Sequence, residues 1–440
     1  MLLKIYNYWQ LLKSNLWFVP AAFCIGFLAF TASLYYVEIT YLHDLEYPSF
    51  LFQGSTDDAK SVTIALMSAM ITMATLAISI TMVVLSLAAS QLGPRLIRSF
   101  MSDQKTKDFI GLFFGAVMAC FVLTIILHSR GSQMVTPQLT ISVVFVICAI
   151  NLFIFLGFVH HVAQSSIADN VILKVSNDLK SALNRLTKDI IKKRYEASKD
   201  NGEWPKDFEQ MSTRIVFERS GYVQNIDYDA IMDIACNHDL RVRVDFKAGR
   251  YIVEGEDGLR IYSKVKDKTD DIEKRIKNTF IIGNQHTATQ DISYSIRHLV
   301  EIAIRALSPG INDSFTAMSV LDHLSGALAI LFEKETPAED FYDDEGIKRM
   351  HAKQSDEADI ILSAFDQIRF HGRGTPSMIR HLLKKFKPMA ELAKDKATKT
   401  AIIKQLNAIA HDLKTMNDSE PDIEDLRIAT DELIAALKQE

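Results

Sequence analysis

The chain is predicted to be a multi-pass α-helical membrane protein with four transmembrane helices and a cytoplasmic α+β domain, a small β module plus a helical domain. Three observations predict it. Of the 440 residues 48% are apolar, and these crowd into the first third of the chain. Between Lys60 and Arg95 lie 34 residues without a single charged side chain, far longer than a soluble helix usually sustains. Beyond about residue 200 the pattern changes to short β-branched runs and then to amphipathic helices. The expected organisation is a four-helix transmembrane domain over 1–160, a linking helix over 161–200, a small β module over 201–265 and a helical cytoplasmic domain over 266–440. A net charge of −5 argues against nucleic acid as the main partner. Collagenous, disordered and disulfide-scaffold classes are excluded by composition.

Four stretches can span ~30 Å of hydrocarbon at ~1.5 Å per residue. They are Leu16–Val37, Val62–Ala89, Phe109–Leu127 and Val135–Val159. Lys4 and Lys13 precede the first, as in a secretory signal, but the run is too long and three more follow, so it reads as a retained helix. Cys24, Cys120 and Cys148 fall within spans and Cys236 stands alone, without CxxC spacing. The loop after span one carries Glu38, Asp44, Glu46, Asp57 and Asp58 against Lys60. The loop after span two carries Arg95, Arg98, Lys105 and Lys107, and seven Lys or Arg follow span four between Lys174 and Arg194. Cationic loops stay inside, so both termini are expected on the cytoplasmic side of a bacterial inner membrane.

Along the second span Ser61, Ala65, Ser68, Thr72, Thr75, Ser79, Ser86 and Ser90 recur at three- and four-residue steps, with one gap at Met82. Such a stripe either lets helices approach closely or lines a watery path. Ser68, Thr72, Thr75 and Ser79 are therefore candidate pore-lining or helix-packing residues. Gly111, Gly115 and Ala119 make a small-xxx-small packing ridge on the third span. No Asp, Glu, Lys or Arg lies inside a span, which argues against a coupled transporter.

Span four is expected to run straight on as a helix, with Val171, Val175, Leu179, Leu183, Leu186 and Ile190 on one side. It should stop near Asp200-Asn201-Gly202. Residues 213–262 hold five short β-branched or aromatic runs, starting at Arg214, Tyr222, Arg241, Tyr251 and Arg260, with a short helix from Asp227 to His238. Lys247-Ala-Gly249 reads as a hairpin turn. From Asp270 onward the chain reads as nearly all helical. Ile292, Ile296, Leu299, Val300, Ala303 and Leu307 form an apolar face beside an Arg297, Glu301, Arg305 ladder. That helix breaks at Ser308-Pro309-Gly310, where Gly310 tolerates positive φ, and Asn312 or Asp313 caps the next. The corner is either a helical hairpin or a ligand or subunit contact. Glu339-Asp340 and Asp343-Asp-Glu345 read as a solvated acidic loop, without EF-hand spacing.

GxGxxG, Walker, GxSxG and HExxH patterns are all missing, and no Ser, His and Asp spacing suggests a nucleophile, so no enzyme activity, metal or cofactor is expected. His160-His161 diverge by about 100° on a helix and suit interfacial packing or hydrogen bonding better than one metal. His43, Asp44 and Glu46 suit a solvated turn better than a cation site.

Four segments together resemble a known bacterial membrane-protein family, domain of unknown function twenty-two fifty-four, over nearly the full chain. They are Gln91-Leu-Gly-Pro94-Arg95-Leu-Ile-Arg98, His161-Val-Ala-Gln-Ser-Ser-Ile167-Ala-Asp169-Asn170, Ser220-Gly-Tyr-Val-Gln-Asn-Ile-Asp227, and Arg305-Ala-Leu-Ser308-Pro309-Gly310-Ile-Asn312-Asp313. The resemblance implies a multi-pass membrane protein with a cytoplasmic domain and brings no established activity. It makes Arg95, Arg98, His286, Asp291, Arg305, Ser308, Asn312 and Asp313 candidate motif contacts. Two positions depart from the pattern. Ser314 stands where proline is usual, a convenience at N1 that serine replaces. His286 stands where arginine is usual, so a fixed positive charge there is lost near neutral pH unless its pKa is raised.

The expected function is a homo-oligomeric channel-like or passive transport assembly in contact with membrane lipid. The order of spans, linking helix, β module and helical domain is reminiscent of small-conductance mechanosensitive channels, an analogy of layout only. The alternative is a membrane-anchored regulatory or scaffold protein that binds a partner or ligand through its cytoplasmic domain. A lipid- or envelope-related enzyme is a third, weaker possibility.

Overall fold

The computed structural model describes residues 15–42, 48, 51–93, 97, 103–129, 136–191, 204–263, 269–287, 290–332, 339–354, 356–393, 396–416 and 421–439. The chain divides into two compact units, Met1–Val171 and Ile172–Glu440.

The first unit is built from α1 (Phe18–Tyr41), α2 (Thr56–Leu92), α3 (Gln104–Ser129) and α4 (Gln138–Ser165). α2 and α3 contain their expected spans and overrun both ends, while α1 and α4 start two and three residues later than expected and run on beyond the expected end. At ~1.5 Å per residue the 37-residue α2 is about 55 Å long, well beyond the hydrocarbon thickness. Its start is set by a capping box, in which Ser55 and Asp58 satisfy each other's backbone amides. The glycine ridge of α3 packs as expected. A Cβ on Gly111 would lie 2.6 Å from the Phe23 ring, and one on Gly115 2.6 Å from the Phe27 ring, so two phenylalanines of α1 sit in the hollows the glycines leave. Ala119 beside them is buried. Phe109, Phe113, Phe155 and Phe158 interlock α3 with α4, with ring centroids 5.6–6.1 Å apart. The Cys120 and Cys148 Sγ atoms lie 3.5 Å apart in the same interior.

Glu38 is not a loop carboxylate. It belongs to α1 and is buried. It accepts from the Leu139 amide (2.8 Å), the Thr140 amide (2.8 Å) and the Thr140 hydroxyl (2.6 Å). The first turn of α4 has Pro137 at its N-cap and no local side-chain cap, so a carboxylate about a hundred residues earlier supplies it. The opposite end of the bundle repeats the device. Asp103 accepts from the Thr106 amide (3.1 Å) at the start of α3 and faces His161 Nε2 of α4 at 3.0 Å. His160 is exposed, so the two adjacent histidines diverge as expected.

Helix α5 (Ala168–Ile191) follows α4, but not as one straight rod. A turn at Ser166–Ile167 interrupts it, where the Ser166 hydroxyl bonds the Ala163 carbonyl (2.7 Å) and the Asn170 amide the Gln164 carbonyl (2.8 Å). Local hydroxyl and amide bonds compete here with the helical ladder. The face with Val171, Val175, Leu179 and Leu183 is buried. The expected stop near Asp200 lies outside the described residues, as do His43, Asp44 and Glu46.

The second unit contains the short α6 (Phe208–Met211), then β1 (Ser212–Ile215), β2 (Gly221–Ile226), α7 (Tyr228–Asn237), β3 (Arg241–Val244), β4 (Tyr251–Ile252) and β5 (Leu259–Tyr262). The five expected strands and the intervening helix are all present, with Asp227 capping α7. Three further strands appear in the region read as helical: β6 (Phe280–Gly283), which follows α8 (Thr269–Lys277), then β7 (Asp340–Tyr342) and β8 (Lys348–Ala352). The strands form two sheets, β1-β5-β3-β8-β7 and β4-β2-β6. Among the described residues only β3 and β8 pair in parallel. Hence Lys247-Ala-Gly249 is not a hairpin turn, because β3 and β4 lie in different sheets. The acidic run is not one solvated loop: Asp340 lies in β7 and pairs with Lys348 (2.8 Å), and Asp343 in the β7–β8 connection accepts from the Ile347 amide (2.8 Å) and Arg349 Nε (2.7 Å). Val223, Ile226, Ile231, Val242, Val244, Phe246, Leu259, Ile261, Phe280 and Met350 form the shared core of sheets and helices.

Helices α9 (Ile292–Ala306), α10 (Ser314–Phe332), α11 (Glu357–Gly372), α12 (Pro376–Leu392), α13 (Lys396–Lys414) and α14 (Pro421–Gln439) complete the unit. Among the described residues five helices are long and apolar enough to cross a membrane, and α10 is the fifth. Within its unit α10 packs against α9 and α12 and buries Ala317, Val320, Leu321, Leu324, Leu328 and Leu331. A helix apolar nearly all round is also what a protein core requires.

Candidate functional site

The sequence-derived candidates fall in three places. Ser68, Thr72, Thr75 and Ser79 all lie on the exposed side of α2, as do Ser61, Ala65, Ser86 and Ser90. The side of α2 turned into its own bundle carries Ala59, Thr63, Met70, Met73, Ala74, Ala77 and Thr81 instead. The stripe therefore does not pack inside its own subunit. Its hydroxyls bond their own helix: Ser68 donates to the Ile64 carbonyl, Thr72 to Ser68 and Thr75 to Ile71, each at 2.9 Å. Arg95 and Arg98 lie outside the described residues.

His286 and Asp291 converge with the Ser220–Asp227 segment. Strand β2 carries a bulge at Gln224, whose side-chain amide donates to the Gln285 carbonyl (2.7 Å). The Gln290 side chain pairs with the Ile226 backbone like a strand, accepting its N–H at 2.8 Å and donating to its carbonyl at 2.9 Å. These bonds hold Gln285 and Gln290 against β2. The His286 ring lies on Tyr222, with centroids 3.8 Å apart, and its Nδ1 is 3.4 Å from Asp291 Oδ2. Arg297 Nη2 approaches the same oxygen at 3.2 Å. Asp291 is only 5% exposed, and both neighbours turn toward its buried carboxylate. Arg297 supplies a permanent cation, which lessens the consequence of having histidine in place of arginine at 286.

Gly249 closes the opposite side. It holds φ +89°, and a Cβ there would collide with the Asp291 carboxylate. Its amide donates to the Val223 carbonyl (2.8 Å), and the Arg250 amide to the Lys247 carbonyl (3.3 Å), so 247–250 is a tight turn laid against Asp291. A cavity of about 300 Å³ opens between this turn, the first turn of α9 and the residue after β8. Lys247, Arg250, Arg297 and Lys353 line it and were not singled out as site residues, because they come from separate segments with no common spacing.

Arg305, Ser308, Asn312 and Asp313 lie at the other end of α9, a 15-residue helix about 22 Å long. The motif builds a tightly bonded corner. Asp313 N–H bonds the Ala306 carbonyl (2.7 Å), Asn312 N–H the Ser308 carbonyl (2.8 Å) and Ser308 Oγ the Arg305 carbonyl (2.7 Å). The positive φ falls on Asn312 at +51°, not on Gly310. Arg305 pairs loosely with Glu301 (3.8 Å), while Arg297 leaves the expected ladder for Asp291. Asp313, rather than Asn312, caps α10, accepting from the Thr316 amide (3.0 Å) and hydroxyl (2.5 Å). Those bonds, the hydroxyl foremost, hold the Asp313 carboxyl below the usual carboxylate range. Ser314 takes the N1 place without disturbing the helix.

No group of three or more His, Cys, Asp or Glu that could hold a metal occurs among the described residues. The chain is 25% identical over 363 residues to an uncharacterized protein of Mycobacterium bovis, covering 81% of this chain and 68% of the relative. An uncharacterized protein of Mycobacterium tuberculosis gives the same identity and coverage. No solved structure matches. A family model described as "Predicted membrane protein (DUF2254)" matches residues 13–387. With the apolar helices of its first unit and the motif corners of its second, the chain belongs to this family of predicted membrane proteins.

Proposed function

We propose that the protein is a homo-oligomeric assembly of the bacterial inner membrane that acts as a channel-like, passive conduit. One observation carries this reading: the eight small or hydroxylated residues of α2 all point away from their own bundle. A lipid-facing surface has no need of them, since α2 also exposes Val62, Ile64, Ile71, Leu76, Ile78, Val83 and Leu87. A close-packed neighbouring copy, or water on a shared axis, accounts for the stripe better. The absence of charge between Lys60 and Arg95 favours a passive path over a proton relay. In this reading α1–α4 are the spans, α10 is a core helix, lipid surrounds the assembly and both termini are cytoplasmic, as the cationic segments favour. The test is conductance of the purified protein in bilayers under voltage and tension. Current that Thr72→Leu with Thr75→Leu abolishes supports the conduit, and silence from an intact oligomer refutes it.

A second reading, a membrane-anchored regulatory or scaffold protein, is favoured by the Ser308–Asp313 corner. It leaves Phe315 85% and Ile311 44% exposed on a rigid, hydrogen-bonded turn, the form of an anchor for a partner. Phe315→Ser would then abolish the cellular effect of the protein without altering its assembly or conductance.

A further inference from the structure

Charged residues from separate segments meet around the 300 Å³ cavity beside Asp291. Four cations line it, Lys247, Arg250, Arg297 and Lys353, against two carboxylates, Asp245 and Asp291. Both carboxylates are already engaged, Asp245 by Arg243 Nε at 2.8 Å and Asp291 by His286 and Arg297. Arg250 is held by Glu256. Lys247 and Lys353 make no ion pair among the described residues, although they come from different elements and meet at one cavity.

The first turn of α9 forms part of the same wall through Asp291, Ser293 and Arg297. Asp291 stands at the N-cap, yet its side chain makes no capping bond, because His286 and Arg297 hold it. Among the described residues no side chain caps the positive end of this 15-residue helix, beside which Lys247 and Lys353 line the cavity. Phe246 and Ala248 give the cavity an apolar patch against which the rest of a small molecule can lie.

We propose that this cavity binds a small phosphate-bearing anion, with Lys247 and Lys353 as its principal counter-charges and the α9 amides and Arg297 completing the cradle. Phosphate suits the site better than a single carboxylate, since a dianion matches two free cations and a helix N-terminus. The size admits a phosphorylated metabolite or the phosphate of a lipid headgroup and excludes a nucleic-acid strand. The proposal is independent of whether the first unit conducts.

The test is calorimetric titration of the full-length protein in detergent with inorganic pyrophosphate. The expected result is one saturable site per chain that weakens about tenfold in Lys247→Gln and again in the Lys247→Gln, Lys353→Gln pair. Lys206→Gln, an exposed lysine elsewhere in the unit, should bind normally. Unchanged melting temperatures without ligand would show that the variants are folded. No saturable binding to the folded wild type, or equal binding by wild type and the double variant, overturns the proposal. Repeating the titration in nanodiscs with and without phosphatidylglycerol separates the two sources. Competition by the anionic lipid assigns a headgroup, and undiminished binding assigns a soluble phosphate compound. Either result can stand or fall without affecting the conductance measurement.

Discussion

Two helices of the membrane unit carry the same kind of pattern and meet different fates. On α3, Gly111, Gly115 and Ala119 lie beneath α1, with Phe23 and Phe27 set against the two glycines. On α2, Ser68, Thr72, Thr75 and Ser79 lie on the open side of the same bundle. A small-residue stripe records that something comes close. It does not record whether the neighbour is the next helix of the chain, a second copy or water. On α3 the neighbour is α1, and on α2 no described residue of the bundle covers the stripe.

The most severe way to break the α3 side of this comparison is Gly115→Leu. The new side chain would occupy the place of the Phe27 ring, and overpacking of this kind costs roughly 3 kcal/mol or more. A thermal melt in detergent should show the loss, and a Phe27→Ala partner change should restore part of it. Glu38→Ala removes acceptors from two α4 amides and a hydroxyl, at a cost of about 2–3 kcal/mol. An unchanged melt for this variant would mean that Glu38 does not cap α4.

The second unit offers the same lesson. Gly249 is to Asp291 what Gly115 is to Phe27, a vacancy filled by a neighbour, with the added demand of φ +89°. Gly249→Ala should cost about 2 kcal/mol and abolish pyrophosphate binding, read by melt and titration. Asp313→Ala should cost about 1 kcal/mol through loss of the α10 cap. Its pH dependence has a definite sign. Folding lowers the Asp313 pKa, so its contribution is complete above the unfolded value of about 4 and is lost as pH falls through the folded value. The gap between wild type and Asp313→Ala should therefore be full at neutral pH and close in acid.

Much of this architecture was legible in residue pattern. The four apolar runs became α1–α4, and the β-branched runs punctuated by glycine became β1–β5. Where pattern misled, a distant partner was responsible. Phe280–Gly283 and Lys348–Ala352 are strands because β2 and β3 offer them edges, a choice no local period encodes. Glu38 looked like a loop acid because its role is to cap a helix a hundred residues later. At the candidate site, His286 and Asp291 stood out through the family motif. Lys247 and Lys353 did not, since only the fold brings a turn after β3 and the end of β8 to the same cavity.

The outward α2 stripe is the centre of the account, and the mass of the solubilised assembly tests it most directly. Light scattering on protein extracted into nanodiscs should give an integer multiple, above one, of the 49.6 kDa chain. Thr72→Leu combined with Thr75→Leu should alter subunit stability by less than about 0.5 kcal/mol, as expected of exposed positions. A wild type of 49.6 kDa would contradict it.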